Sequence, residues 1–197
     1  TAGLDEPGFA DRFLASRLGS TTHVSVVDGD GRACSVTTTN GEGCGIVVPG
    51  TGLHPNNIMG EEDLNPLGFH AFSPRRRMPS MMAPTVVLGD NGVELVLGRA
   101  GSNRIRSAIV QVIAGVVDRG LDARAAVDAP RMHFEDGVVF AEPGVDVEGL
   151  RAAGREVREF GAPNVFFGGV QAVERDPATG ALSGAGDFRR GGAAVAA

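Results

Sequence analysis

Residues 19–28 read Gly19-Ser20-Thr21-Thr22-His23-Val24-Ser25-Val26-Val27-Asp28, and the pattern changes character within them. Upstream, residues 7–18 place Phe9, Phe13 and Leu14 on one face of a short helix, with Pro7 in its first turn and Gly19 as its C-terminal cap. From His23 the apolar residues recur every second position, the period of a half-buried strand. Two readings fit the junction. It is a turn that enters a strand, or it is a chemical junction at which the chain is cut and a threonine becomes a new N-terminus.

Outward from this stretch, His23–Val27 and Ala33–Thr39 alternate as two strands. Asp28-Gly29-Asp30-Gly31-Arg32 supplies the turn of a hairpin between them. Residues 40–84 are rich in Gly and Pro and read as a long loop, a length usually tied to function or disorder. Thr85–Leu88 and Val93–Leu97 form a second hairpin around Asp90-Asn91-Gly92. The strongest helix runs from about Asn103 to Asp118, with Ile105, Ile109, Val112, Ile113 and Val116 on one stripe and Gly120 at its end. A second helix covers about Ala123–Ala129 and stops at Pro130. Strands follow at Val138–Ala141 and Glu156–Phe160, with a short helix at Val147–Ala153 between them. Val170–Arg175 and a final Gly-rich strand flank a turn at residues 176–180. Such an order predicts an α+β domain of sheet layers covered by helices.

The chain has 197 residues, suited to one domain, and 42% are hydrophobic. Thirty glycines announce many tight turns and close backbone approaches. A net charge of −6 argues against a nucleic-acid partner. The one basic run, Arg75-Arg76-Arg77, lies between Pro74 and Pro79 and reads as a solvated loop or a local anion contact. No apolar run reaches the roughly 20 residues of a membrane helix, so no membrane partner is expected. Thr1-Ala2-Gly3-Leu4-Asp5-Glu6 is acidic and lacks the apolar core of a secretory signal. The compartment stays open between cytoplasmic and secreted or periplasmic. Cys34 and Cys44 make no disulfide framework, and His23, His54, His70 and His133 show no metal-ligand spacing, so neither a metal nor a cofactor is expected.

A threonine hydroxyl needs a base to act as a nucleophile at neutral pH. An N-terminal threonine carries its own, because an α-amine titrates near 7.7–8.0. Small residues such as Gly19 and Ser20 permit a strained turn in which the Thr21 hydroxyl attacks the preceding carbonyl.

Five ordered blocks carry a family resemblance: TTHVSVVDGDGRACSVTTTN (21–40), PGTGLHPNNIMGEED (49–63), RRMPSMMAPTVVL (76–88), GRAGSNRIRSAIVQVI (98–113) and AVDAPRMHFED (126–136). The tail GGVQAVERDPATGALSGAGDFRRGGAA (168–194) adds a sixth. Together they resemble the small catalytic half of the γ-glutamyltranspeptidases, members of the N-terminal-nucleophile hydrolases. The resemblance implies a four-layer αββα sandwich of two stacked antiparallel sheets covered by helices. It implies cleavage between Ser20 and Thr21, with residues 1–20 ending a large subunit and residues 21–197 forming the small catalytic one. Thr21 becomes the nucleophile, Thr39 its hydrogen-bonded partner, and the backbone of Gly101 and Ser102 an oxyanion hole. Substrate binding falls to Asn40, to Glu61 or its neighbour Glu62 for an α-ammonium, and to Ser80 and Met81 at the position of a serine pair. His23 is assigned to strand entry, and Thr1 is rejected as a nucleophile because nothing around it opens a strand. The partners implied are a γ-glutamyl or related amide substrate and the large subunit of the same precursor. Met81, the strand end at Asn40 and the segment Gly41-Glu42-Gly43-Cys44-Gly45 depart from the family pattern. Two alternatives follow from these departures: a degenerate or truncated member acting as a non-catalytic binding or assembly subunit, and an amidase retuned to a different acyl group.

Overall fold

The computed structural model describes residues 21–196, which divide into two compact units. The helix expected over residues 7–18 and the residue Ser20 lie outside the described residues.

The larger unit spans Thr22–Thr37 and Ser80–Ala196. Its centre is a four-stranded antiparallel sheet in the order β3-β4-β8-β9, built from Thr85–Gly89, Gly92–Ala100, Gly169–Arg175 and Leu182–Gly186. Two helices cover one face: α1 (Ile105–Val117) and α2 (Ala123–Asp128). Ile105, Ala108, Ile109 and Val112 of α1 meet Leu95 and Leu97 of β4, with Val170, Ala172 and Ala185 beside them. Burying a side chain of this size contributes roughly 1.5–3 kcal/mol. Asp122 caps α2 by accepting from the Ala125 N–H at 2.7 Å.

Strand alternation turns Gly98 to the other face, and there the hairpin of β1 (Thr22–Val27) and β2 (Ala33–Thr38) packs. The Asp28 N–H donates to the Arg32 carbonyl at 3.0 Å, and Asp28 Oδ1 accepts from the N–H groups of Asp30 and Arg32, which closes the turn. A connection this short leaves only antiparallel pairing. The His23 ring lies on Gly98, where a Cβ would collide with it. Polar groups then tie hairpin to sheet: the Ser25 hydroxyl donates to the Gln171 carbonyl at 3.1 Å and the Ser35 hydroxyl to the Leu97 carbonyl at 3.0 Å. The layering is helices, a four-stranded sheet, then a second sheet that has two strands among the described residues. The fold is α+β.

A third, small sheet joins β5 (Met132–Glu135), β6 (Val138–Ala141) and β7 (Glu156–Glu159), with α3 (Val147–Ala152) crossing between β6 and β7. β5 and β6 are antiparallel and β6 and β7 parallel. The crossover helix is what makes the parallel pair possible. β5 had no counterpart in the sequence reading, and β4 runs three residues beyond the expected Leu97, because Gly98, Arg99 and Ala100 pair with Gln171, Val170 and Gly169.

His23 is 5% exposed, and its ring nitrogens meet the hydroxyls of Thr37 (2.7 Å) and Ser25 (3.0 Å). Desolvation lowers its pKa to about 4. The imidazole is therefore neutral at pH 7 and holds the hairpin. A histidine titrating lower in the folded than in the unfolded chain stabilises above the unfolded value of about 6.5 and loses that contribution as pH falls toward 4. The expected loss is on the order of 2 kcal/mol, allowing for partial solvent screening. Urea denaturation at pH 7 and pH 4.5, in wild type and His23→Gln, measures it. The pH-dependent difference between the two proteins should appear over that window; equal slopes would contradict this reading.

Candidate active site

The smaller unit contains, among the described residues, Thr21 and Thr38–Pro79. Thr21 stands just before β1 and Thr39 just after β2, so the hairpin brings two residues 18 positions apart side by side. Their hydroxyl oxygens are 2.7 Å apart. Thr39 Oγ1 also accepts from the Gly41 N–H at 2.9 Å. One lone pair of Thr39 is thus committed to the backbone, which leaves either its proton or its other lone pair for the Thr21 hydroxyl.

Gly41 is buried and has φ +65°, a region open to glycine. A Cβ there would collide with the side chains of Glu61 and Asn57. Asn57 Oδ1 accepts from the Glu42 N–H at 2.8 Å, and the Asn57 N–H donates to the Asn40 carbonyl at 3.2 Å. The loop from 40 to 64 is therefore folded back on the end of β2. Neither Asn57 nor Gly41 is assigned a site role from sequence, although Asn57 falls inside the second block and Gly41 opens the segment that departs from the family pattern. Asn40 turns its side-chain amide to the His54 carbonyl at 3.4 Å, which fastens the loop.

Glu61 is half-buried, whereas Glu62 is exposed. Burial pushes the Glu61 carboxyl up, the nearby Glu42 and Asp63 carboxylates add to this, and a hydrogen bond from the Glu42 backbone opposes it. An anion crowded in this way gains from a cation placed beside it. The geometry favours Glu61 over Glu62 as a group aimed toward Gly41.

In the larger unit, β4 ends at Ala100 and the chain turns through Gly101 (φ +123°) and Ser102 (φ +40°) into a 3-10 turn, Ser102–Arg104, and then α1. Ser102, a non-glycine residue at positive φ, stores backbone strain at the helix entrance, a feature that clusters at functional turns. The helix entrance also presents N–H groups and the positive end of the dipole. Ser80 is exposed, and its Oγ accepts from the Met82 N–H at 3.2 Å. Met81 packs against the hydrophobic core. No cluster of three or more His, Cys, Asp or Glu side chains able to hold a metal occurs among the described residues.

A family model for gamma-glutamyltranspeptidase matches residues 9–197. The chain belongs to the gamma-glutamyltranspeptidase family. A glutathione hydrolase proenzyme of Bacillus subtilis (strain 168) is 33% identical over 180 residues, covering 90% of this chain and 31% of the relative. An acylase ACY 1 proenzyme of Pseudomonas sp. (strain SE83) is 35% identical over 201 residues, covering 100% of this chain and 34% of the relative. Among solved structures, the gamma-glutamyltranspeptidase from Pseudomonas nitroreducens complexed with L-DON superimposes with a TM-score of 0.74 at 32% identity, covering 89% of this chain and 99% of that one. The chain spans about a third of the length of the curated relatives it matches. Members of the gamma-glutamyltranspeptidase family named here are enzymes, two of them described as proenzymes, which matches the N-terminal-nucleophile reading rather than the non-catalytic alternative.

Proposed function

We propose that residues 21–197 are the small catalytic subunit of a self-cleaving γ-glutamyl hydrolase or transferase, whose precursor also supplies a large subunit ending at Ser20. The observation that carries this reading is the 2.7 Å contact between the Thr21 and Thr39 hydroxyls at the mouth of the hairpin.

The chemistry follows from that contact. In the precursor, Thr21 Oγ attacks the Ser20 carbonyl and the peptide bond breaks through an ester, which water opens. This frees the Thr21 α-amine, a base with a pKa near neutrality. The amine takes the Thr21 hydroxyl proton as Oγ attacks the substrate's acyl carbon. Thr39 then donates to Thr21 Oγ, while the Gly41 N–H holds the Thr39 oxygen. The family resemblance assigns the oxyanion to the backbone N–H groups at Gly101 and Ser102, and a helix entrance is chemically suited to that charge. The substrate's amide C–N bond breaks, its departing amine takes the proton held by the Thr21 α-amine, and water or an acceptor amine opens the Thr21 ester.

Glu61 is the proposed partner of the substrate α-ammonium. A charged hydrogen bond of this kind contributes about 1.5–3 kcal/mol, or roughly 10–150-fold in affinity. Glu61→Gln keeps the size and removes the charge. KM for a γ-glutamyl anilide should rise by that factor, with self-cleavage intact. Because the carboxyl titrates above its ordinary range, KM in the wild type should also begin to rise at a higher pH than an ordinary carboxylate would give. An unchanged KM in Glu61→Gln would remove the ammonium site from this reading.

A second reading has its own support. Met81 packs against the core where the resemblance expects a second hydroxyl, so Ser80 alone remains for a substrate carboxylate. This favours an amide whose acyl group lacks an α-carboxylate; one relative is named an acylase rather than a glutathione hydrolase. Comparing turnover of a γ-glutamyl anilide with that of a glutaryl anilide, which lacks the α-amino acid head, separates the two.

A further inference from the structure

The larger unit holds another polar constellation, made of residues outside the Thr21 set. Ser107 lies in the first turn of α1, and its Oγ is 2.7 Å from His133 Nδ1 on β5. On the far side of the ring, His133 Nε2 makes no hydrogen bond among the described residues, and the Glu135 carboxylate faces it electrostatically, with Oε2 at 3.6 Å. Glu135 is held in turn, because its Oε1 accepts from Asn103 Nδ2 at 2.9 Å. Gln111 staples the two elements: its amide donates to the carbonyls of Ser107 and Met132 and accepts from the Met132 N–H.

A carboxylate beside Nε2 attracts the ring proton to that nitrogen. Nδ1 is then the acceptor, and the Ser107 hydroxyl donates to it. Burial lowers the His133 pKa, with Glu135 opposing the shift, so the ring is a neutral base at pH 7. His133 is 5% exposed, and Phe166 meets its ring edge-on with centroids 6.2 Å apart, so the imidazole has little freedom. A hydroxyl bonded to a base that a third group orients is the arrangement required of an activated nucleophile. These side chains also face space: Ser107 and His133 line a cavity of about 670 Å³ whose other walls include Val110, Phe134, Leu150 and the cationic Arg106 and Arg155.

We propose that Ser107, with His133 as its base and Glu135 orienting the ring, is a nucleophile that accepts the acyl group of activated esters with an apolar acyl chain. Ser107 Oγ bonds to the carbonyl carbon as its proton passes to His133 Nδ1. The ester C–O bond breaks, and the departing alcohol takes that proton. Water opens the acyl-serine by the same route: His133 removes a proton from water and returns it to Ser107 Oγ, and a carboxylic acid leaves. Val110, Phe134 and Leu150 suit the chain, and Arg106 and Arg155 suit the oxyanion and the carboxylate product.

The test uses the full-length protein carrying Thr21→Ala, so that the threonine chemistry makes no contribution. It is treated with p-nitrophenyl butyrate and, separately, with an alkyl fluorophosphonate whose attachment point is read by peptide mass spectrometry. Nitrophenol should be released, and the phosphonate should sit on Ser107 at a rate well above that of the exposed Ser73 in the same sample. Ser107→Ala should abolish both signals. His133→Gln should slow labelling by roughly 10²–10⁴-fold, the usual share of a positioned base. Glu135→Gln should lower the labelling rate at saturation while the half-saturating probe concentration stays unchanged, a separation that a merely structural role would not give. Labelling of Ser107 no faster than Ser73 would overturn the proposal without any further variant, as would a rate unaffected by His133→Gln.

Discussion

Thr21→Ala is expected to leave one uncut chain with no measurable turnover of γ-glutamyl amides. Alanine has no Oγ to attack the Ser20 carbonyl, so the α-amine is never released, and the acyl group has nothing to bond to. Loss of both steps compounds. Removal of the nucleophile alone costs a hydrolase on the order of 10⁶ in kcat. Thr21→Ser restores a hydroxyl at the same position and should recover cleavage and part of the activity, since the contact with Thr39 Oγ1 survives with a smaller side chain. Both variants should fold as the wild type does, because Thr21 lies outside the core cluster. Turnover in Thr21→Ala at the wild-type rate would move the nucleophile elsewhere.

Asp187→Asn is expected to produce the largest loss of stability. Asp187 is fully buried and binds Arg131 at 2.6 Å and Arg189 at 3.2 Å. It also accepts from the Val170 and Arg189 N–H groups. Arg189 continues to Glu142 at 2.6 Å, and Glu142 accepts from the N–H groups of Arg131 and Asn164. Arg99 is also buried beside this cluster, and its three guanidinium nitrogens make no hydrogen bond among the described residues; burial, Arg131 and Arg104 lower its pKa while the Asp187 charge opposes them. Removing that one carboxylate leaves three buried guanidinium groups facing Glu142 alone. Breaking a buried pair costs about 3–5 kcal/mol, and the surplus of cations places this case at the upper end. At about 2–4 °C per kcal/mol for a chain of this size, Tm should fall by roughly 6–20 °C. Exchanging both partners for apolar residues, Arg131→Met with Asp187→Leu, should cost less than the sum of the single changes. A Tm within about 2 °C of wild type in Asp187→Asn would show that the network does not hold the fold together.

The parts of the molecule that were legible in the sequence are those with local rules. The β1–β2 hairpin announces itself by alternation and by Asp28 and Gly31 in its turn. The stripe on α1 and the stop at Pro130 after α2 are equally local, and the structure places these elements within a few residues of expectation. β5 was missed because Met132–Glu135 has only four residues and gains its strand character by pairing with β6. In the candidate site, Thr21 and Thr39 carry their signal in a motif. Gly41 and Asn57 do not, because they act through a loop closure spanning 16 residues that no periodicity marks. Arg131, Glu142, Asp187 and Arg189 are charged and read as surface residues; only the tertiary fold buries them as mutual partners. The His133–Ser107 contact is hidden for the same reason, since it joins residues 26 positions apart.

All of the proposed chemistry depends on Thr21 becoming an N-terminus. Mass spectrometry of the purified full-length protein, followed by identification of each N-terminal residue, reads this out. Two co-purifying polypeptides are expected, one beginning at Thr21, with a covalent adduct on that residue after incubation with a γ-glutamyl donor. A single continuous chain through Ser20 and Thr21 that still turns over substrate, or an adduct on any other residue, would contradict this chemistry.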